Sequence, residues 1–310
     1  MRTRHIGPLE VSLVGLGCNN FGRRLDAAAT DRVVHAALDA GINFFDTADV
    51  YGDTESERLL GGALRDRRDE AVIATKFGMR IDDARQGAHP DYVRSACDDS
   101  LRRLGVEHID LYQLHRPDPD VPIAETLGAL AELIDAGKVR ALGHSNLEAD
   151  DIEAADTVAA EAGLPRFVSA QDRWNLLERD LEGAKLDAIE GHGLALLPYF
   201  PLAAGLLTGK YRADEPPDTS WRIANYPAER REAELAAERL ATVERLRGFA
   251  EQRGRTLLEL AVSWLAAQPA VASVIAGASN PGQVSANVAA AGWELDADEL
   301  AEVDRLTGSG

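Results

Sequence analysis

The apolar run Gly41-Ile42-Asn43-Phe44-Phe45 ends in the carboxylate of Asp46, and the phenol of Tyr51 follows five residues later. Two further apolar runs each end in an ionisable residue: Val72-Ile73-Ala74-Thr75 in Lys76, and Ile109-Asp110-Leu111-Tyr112-Gln113-Leu114 in His115. Taken singly, an aspartate or lysine at a strand end is most often a cap or an ion pair, and a lone histidine a satisfied core residue. Four different ionisable types at matching places in successive runs point instead to one proton-handling site. A phenol titrates near 10 and is a poor acid or base at neutral pH unless its anion is stabilised. An ammonium beside it, Lys76, lowers that pKa, and Asp46 pairs with Lys76 and holds it in place. His115 donates a hydrogen bond to a substrate oxygen or helps to protonate Tyr51. Such a set suits protonation of an alkoxide as hydride reaches a carbonyl. No side chain donates hydride, so that chemistry requires a cofactor.

Places for one lie late in the chain. Gly143-His144-Ser145-Asn146 and Gln171 offer hydroxyl and amide groups, and Tyr199 offers an aromatic face for a flat ring. Lys210, one of four lysines, follows Gly205-Leu206-Leu207-Thr208-Gly209 as a phosphate clamp would. Gly277-Ala278-Ser279-Asn280-Pro281-Gly282-Gln283 reads as a helix start with Asn280 as N-cap and Pro281 as first helical residue. Its free N–H groups suit a phosphate, although the same pattern equally describes an ordinary capped helix. Val14-Gly15-Leu16-Gly17-Cys18-Asn19-Asn20 begins like a dinucleotide fingerprint but has Asn20 where the third glycine belongs. A Rossmann site is therefore rejected, and Gly15 and Gly17 are expected at a tight strand-to-loop turn. The substrate pocket is expected from Asn19, Asn20, Phe21, Met79 and the loop 212–234.

The elements that must position these groups recur with regularity. Short apolar runs occupy 13–17, 43–46, 72–76, 109–115, 139–144, 168–171, 195–199 and 271–275. Most are near-continuous, as in parallel strands covered on both faces. Helical periods lie between them, for example over 31–38, 92–104 and 123–134, with Gly105 and Gly137 as stop signals. Eight strands alternating with helices argue for an α/β chain, a single (β/α)8 barrel domain over 1–310, rather than an open doubly wound sheet. Barrel enzymes carry their catalytic groups at the C-terminal strand ends, where Asp46, Lys76 and His115 fall on strands two, three and four. Arg4-His5-Ile6 and Val11-Ser12-Leu13, around Gly7-Pro8, predict a hairpin that plugs the barrel bottom. After strand seven the long polar loop 212–234 reads as a lid or a mobile linker, followed by a long helix over 233–253.

The formal net charge of −19 makes nucleic acid and anionic membrane poor partners. An anionic cofactor then needs a local pocket of basic side chains or backbone amides. Cys18 and Cys97 match no metal or disulfide spacing and read as buried free thiols, which fits a reducing cytoplasm; no metal site is expected. The N-terminal residues lack the apolar core of a signal peptide. The longest apolar stretch, 194–207, contains Pro198, Pro201 and Gly205 and is too short to span a bilayer, so a cytoplasmic location is expected. Composition leaves the oligomeric state open.

Residues 41–51 with Ser56-Glu57-Arg58-Leu59-Leu60-Gly61 resemble the signature of the aldo-keto reductase superfamily, and the likeness runs over 4–287. The resemblance implies that Asp46, Tyr51, Lys76 and His115 form a catalytic tetrad with Tyr51 as general acid. It implies NADPH extended across the barrel mouth without a Rossmann domain. Ser145, Asn146 and Gln171 match positions holding the nicotinamide carboxamide, Tyr199 the one stacking on its ring, and Gln283 and Asn287 adenosine-contacting positions. The implied cofactor contacts also include Gly17, Cys18 and Asn19, then Phe200, Pro201, Leu202, Gly205, Leu207 and Lys210, and finally Gly277 and Ser279. Some members carry a basic residue around 277–280 to grip the 2′-phosphate; this chain has Gly-Ala-Ser-Asn there, which leaves NAD possible. His144 before Ser-Asn and Trp174 before Asn-Leu-Leu also depart from the pattern. The implied activity is reversible, NADPH-dependent reduction of a small aldehyde or ketone to the alcohol. The alternatives are an NAD-dependent sugar or alcohol dehydrogenase and a cofactor-binding regulatory protein similar to the potassium-channel β-subunit-like branch.

Overall fold

The computed structural model describes residues 1–211, 218–219 and 221–308. Its strands are β1 (Thr3–Ile6), β2 (Leu9–Ser12), β3 (Val14–Gly17), β4 (Phe44–Asp46), β5 (Val72–Phe77), β6 (Ile109–Leu114), β7 (Val139–Ser145), β8 (Ser169–Gln171), β9 (Ala195–Leu196) and β10 (Val274–Gly277). The helices are α1 (Ala27–Asp39), α2 (Glu55–Leu64), α3 (Pro90–Leu104), α4 (Ile123–Asp135), α5 (Ala149–Ala162), α6 (Ala184–Gly191), α7 (Ala228–Glu234), α8 (Ala237–Glu251), α9 (Leu257–Ala267), α10 (Pro281–Ala290) and α11 (Ala297–Thr307).

β3 to β10 form one parallel sheet in the order β10-β3-β4-β5-β6-β7-β8-β9. The ring closes through Leu196, whose N–H donates to the Ala270 carbonyl at 2.8 Å and whose carbonyl accepts from Ala272 N–H at 2.9 Å. The result is the expected (β/α)8 barrel. The last strand starts later than the run 271–275 suggested, because Val271 bridges Leu196 while Val274–Gly277 pairs with β3. Buried Leu, Ile and Val from the strands meet the inner stripes of the helices in one large outer core.

β1 and β2 pair antiparallel from Thr3↔Ser12 to Ile6↔Leu9. Ile6, Leu9 and Val11 pack with Phe44, Ala74, Leu111 and Ala141 from inside the barrel, so the hairpin seals the end opposite the strand C-termini. Arg4 staples it there by donating to the carbonyls of Ala266 at 2.6 Å and Gln268 at 3.0 Å, and to that of Val271.

Two expectations change. Gly15 and Gly17 lie within β3 rather than at a turn. A Cβ on Gly15 would stand 2.9 Å from both the Phe44 ring and Ser273 Oγ, so crowding inside the barrel, not a bend, selects glycine. The helix expected over 233–253 is α8 and starts only at Ala237; Leu235-Ala236, where Ala236 is extended and Leu235 packs on the core, breaks it from α7, most of which lies in the stretch expected as loop. Of the loop 212–234, residues 212–217 and 220 lie outside the described residues.

Gly61 explains the Leu-Leu-Gly of the signature. A Cβ there would fall 1.9 Å from the Leu104 carbonyl oxygen, so α2 crosses the end of α3 backbone to backbone. Cys18 and Cys97 are free and buried; burial raises both thiols, Cys97 to about 12. Among the described residues no helix is long and apolar enough to cross a membrane.

Candidate active site

The parallel register carries the ionisable strand ends to one rim of the barrel. Asp46 closes β4, Lys76 lies one residue before the end of β5, and His115 follows β6 directly. The Lys76 ammonium, with no exposed surface, donates to both Asp46 carboxylate oxygens at 2.8 Å and to the Thr47 carbonyl at 2.7 Å. Asp46 Oδ1 also accepts from Gln171 Nε2 at 2.8 Å and Gln113 Nε2 at 3.3 Å. Tyr51 stands over this pair, its ring centre 5.1 Å from Lys76 Nζ, and meets His115 edge-on at 5.9 Å.

Burial works against the Lys76 ammonium, yet Asp46 and then Tyr51 outweigh it and hold its pKa above the ordinary lysine value. Tyr51 departs from expectation. Burial pushes its phenol above the ordinary tyrosine value and outweighs the opposing pull of Lys76. Tyr51 is thus a protonated donor at neutral pH. Burial first, then Lys76 and Arg116, press the His115 imidazole well below its usual range. A neutral ring can donate a hydrogen bond to an oxygen but is no reservoir of protons for Tyr51.

The carboxamide-type groups tie the next strand ends together. Ser145 Oγ donates to the Gln171 carbonyl at 2.7 Å. Asn146, in the left-handed region at φ 61°, donates to the His115 carbonyl at 3.1 Å and accepts from the Tyr199 hydroxyl at 2.9 Å. After β9 the chain is bent through Phe200, Ala203 and Ala204 at φ 53°, 44° and 56°, conformations that side chains disfavour. Gly205 follows at φ 102°, where a Cβ would press on Lys210 Cε at 3.1 Å. Burial, then Arg24 and Arg222, lower the Lys210 pKa against the pull of Asp218. The start of α10 is as expected: Asn280 accepts from Gln283 N–H at 3.0 Å and Pro281 is the first helical residue. Gln283 in turn accepts from Ser279 N–H at 2.8 Å.

These elements surround a cavity of about 910 Å³. Asp46, Tyr51, His115, Ser145, Asn146, Gln171 and Tyr199 line it, as do Gly17, Cys18, Asn19, Phe200, Pro201, Leu202, Gly205, Lys210, Gly277, Ser279, Gln283 and Asn287. Two of the expected residues do not: Lys76 is enclosed behind Asp46, and Leu207 is turned wholly into the core. Of the expected substrate side, Asn19, Asn20 and Trp221 line the cavity, whereas Phe21 is buried and Met79 stands apart from it.

Sequence reasoning missed Arg24, Arg116 and Arg173 on this wall, and placed Arg222 and Arg230 there only as part of the loop 212–234, without their charge. They come from distant parts of the chain, Arg230 from α7 and the others from outside the helices, and share no motif; the one available signal was that a chain of charge −19 must concentrate positive charge wherever it binds an anion. The two departures from pattern also find places. His144 is buried edge-on against Phe167 at 5.3 Å, its pKa driven down to about 3 by burial and Lys185. Trp174 packs on Trp264 at 5.1 Å and donates to Glu182 at 3.0 Å.

Asp49, between Asp46 and Tyr51, is buried with one oxygen accepting from the Tyr92 hydroxyl at 3.3 Å and the other unpartnered among the described residues. Burial and then Glu57 push its carboxyl up to about 7, opposed by Arg103 and Tyr92. The folded chain therefore holds a proton that the unfolded chain releases near pH 4, and this group subtracts from stability as pH rises from about 4 to about 7. Asp49→Asn should be more stable than the parent at pH 8, by up to about 4 kcal/mol, the gap closing toward pH 4. Urea unfolding across this window checks it; parallel pH profiles for the two proteins would mean that Asp49 stays ionised when folded.

Comparison with known proteins agrees with this architecture. Residues 13–307 match the profile of the Aldo/keto reductase family. Aldo-keto reductase YhdN of Bacillus subtilis (strain 168) is 34% identical over 307 residues, covering 96% of this chain and 90% of the relative. Probable aldo-keto reductase 1 of Glycine max is 34% identical over 302 residues, 95% of this chain and 85% of the relative. Probable voltage-gated potassium channel subunit beta of Oryza sativa subsp. japonica is 34% identical over 291 residues, 91% of this chain and 88% of the relative. A barrel sealed below by a hairpin, a buried lysine–aspartate pair under a tyrosine, and a profile match over nearly the whole chain lead to one conclusion: the protein belongs to the aldo/keto reductase family.

Proposed function

We propose that this protein reduces an aldehyde or ketone to the alcohol, reversibly, with NADPH as the source of hydride. The observation that carries the reading is Tyr51, a protonated phenol on the cavity wall, standing between the buried Lys76–Asp46 pair and the neutral imidazole of His115. The residues present fit a nicotinamide dinucleotide. Ser145, Asn146 and Gln171 offer hydroxyl and amide groups to a carboxamide, and Tyr199 an aromatic face. Lys210, Arg24 and Arg222 gather positive charge for phosphates in an otherwise acidic chain. When bound, such a cofactor supplies hydride.

Everything else falls to side chains. Tyr51 donates its proton to the carbonyl oxygen, and the Lys76 ammonium stabilises the phenolate left behind. Asp46, bonded to Lys76 through both oxygens, fixes the ammonium in place. His115 orients the carbonyl oxygen with a ring N–H. In the reverse direction the Tyr51 phenolate takes the proton back.

Arg222, Arg24 and Lys210 also favour the phosphorylated cofactor, standing in for the base absent around 277–280. Trp221 lies on the cavity wall, so intrinsic fluorescence reports binding. NADPH should bind about tenfold or more tightly than NADH, which corresponds to about 1.4 kcal/mol. Equal affinities would remove the 2′-phosphate argument, and no response to either would overturn the reading. The rice relative's name supports a second reading, a regulatory cofactor-binding protein. Tight NADPH binding with negligible turnover of every carbonyl offered would select it.

A further inference from the structure

The six basic residues of the cavity fall into two groups. Arg24, Lys210, Arg222 and Arg230 act on one another: Arg24 and Arg222 depress Lys210, and Arg24 and Arg230 depress Arg222. Lys210 also lies over the Trp221 ring at 5.2 Å. Together they are a sufficient counter-charge for the phosphates of a dinucleotide. Arg116 lies outside this set, and Arg173 borders it, sharing the Phe200 ring with Arg222 at 5.1 and 5.4 Å. The charges of Arg116 and Arg173 bear on His115 and Tyr199, the residues that the reading above assigns to the carbonyl oxygen and the nicotinamide ring.

That end of a dinucleotide carries no negative charge for them to meet. Arg173 is partly engaged, paired with Glu178 at 3.2 Å and set over the Phe200 ring at 5.1 Å. Arg116 follows His115 in the chain, is exposed, lines the cavity, and makes no hydrogen bond or ion pair among the described residues. Asp46 is the sole carboxylate among the described lining residues, and Lys76, Gln171 and Gln113 already occupy it. The wall beside the reacting position therefore carries one guanidinium, that of Arg116, without an internal partner among the described residues, in a chain whose net charge is −19. A guanidinium in such a place draws anions into the cleft and can hold a carboxylate or phosphate through two parallel N–H donors.

We propose that the carbonyl substrate carries an anionic group, a carboxylate or a phosphate, held by Arg116 with help from Arg173 on the His115 side of the cavity. The inference rests on the reductase reading, and its test separates the two. Turnover with NADPH is compared for 4-carboxybenzaldehyde against methyl 4-formylbenzoate, and for glyceraldehyde 3-phosphate against glyceraldehyde, in the parent and in Arg116→Gln. The parent should favour the charged member of at least one pair by about ten- to a hundredfold in kcat/KM, the range of a charged hydrogen bond. The pair that shows the preference tells carboxylate from phosphate. Arg116→Gln should bring that ratio close to unity, mainly through KM, while NADPH quenches its fluorescence at the parent's concentrations.

A parent that favours the neutral member of both pairs, or a variant that keeps the parent's ratio, overturns the inference and leaves the reductase reading intact. A variant that loses NADPH affinity as much as substrate preference also overturns it, since Arg116 then serves the cofactor. Should none of the four compounds turn over, the reductase reading falls. Calorimetric titration of the NADP-loaded protein with 4-carboxybenzaldehyde and with its methyl ester then decides the anion site: tighter binding of the acid sustains it, and tighter binding of the ester ends it.

Discussion

Tyr51→Phe is expected to bind NADPH as the parent does and to turn over carbonyls about 10²- to 10⁴-fold more slowly, the usual contribution of a positioned general acid. The structure says why the loss should fall on chemistry rather than on folding. The Lys76 ammonium donates to Asp46 and to the Thr47 carbonyl, so removing the phenolic oxygen strands no buried donor. The phenyl ring keeps its edge contact with His115 and its place over the ammonium. Burial holds the parent's phenol in the protonated form, so what disappears is the proton ready at the carbonyl oxygen. The measurement is kcat with a saturating aldehyde, alongside the fluorescence titration and a urea midpoint. Parent-like turnover would remove Tyr51 from the role of proton donor.

Lys76→Met tests the pair beneath. It leaves Asp46 almost wholly enclosed with only the two glutamine amides as donors. Breaking a buried ion pair from one side costs about 3–5 kcal/mol, because the remaining charge has lost both water and its partner. The double variant Asp46→Asn/Lys76→Met should recover much of that loss, since it removes the stranded charge as well. Urea unfolding of the two singles and the double gives the coupling directly. A Lys76→Met protein as stable as the double would show that the two groups do not sustain one another. Activity should fall in both, because the phenolate formed at Tyr51 has no ammonium to meet.

Local chemistry is what made the rest of the site legible. Asp46, Lys76 and His115 could be placed because each ends an apolar run, and parallel strands in register put such ends on one rim. The start of α10 could be read from Asn280 and Pro281, since a helix cap involves only the first turn. The hairpin was visible because Gly7-Pro8 separates two short alternating runs.

Other features were settled by residues far apart in the chain. Gly15 looked like a turn and is a close approach, because Phe44 of β4 and Ser273, just before β10, crowd it. The break at Leu235-Ala236 follows from packing on the core, which no local propensity announces. Charge shows the division most plainly. That Tyr51 and Lys76 occur together was a matter of sequence. Whether the phenol's pKa moves down or up depends on how much water the whole barrel excludes, and that sum exists only once the chain is folded. Likewise, −19 was the net charge of the chain as written, but only the folded chain brings Arg24, Arg116, Arg173, Arg222 and Arg230 to one cavity wall. Strand ends, caps and turns are decided by neighbours in sequence; desolvation and the field inside a cavity are decided by neighbours in space.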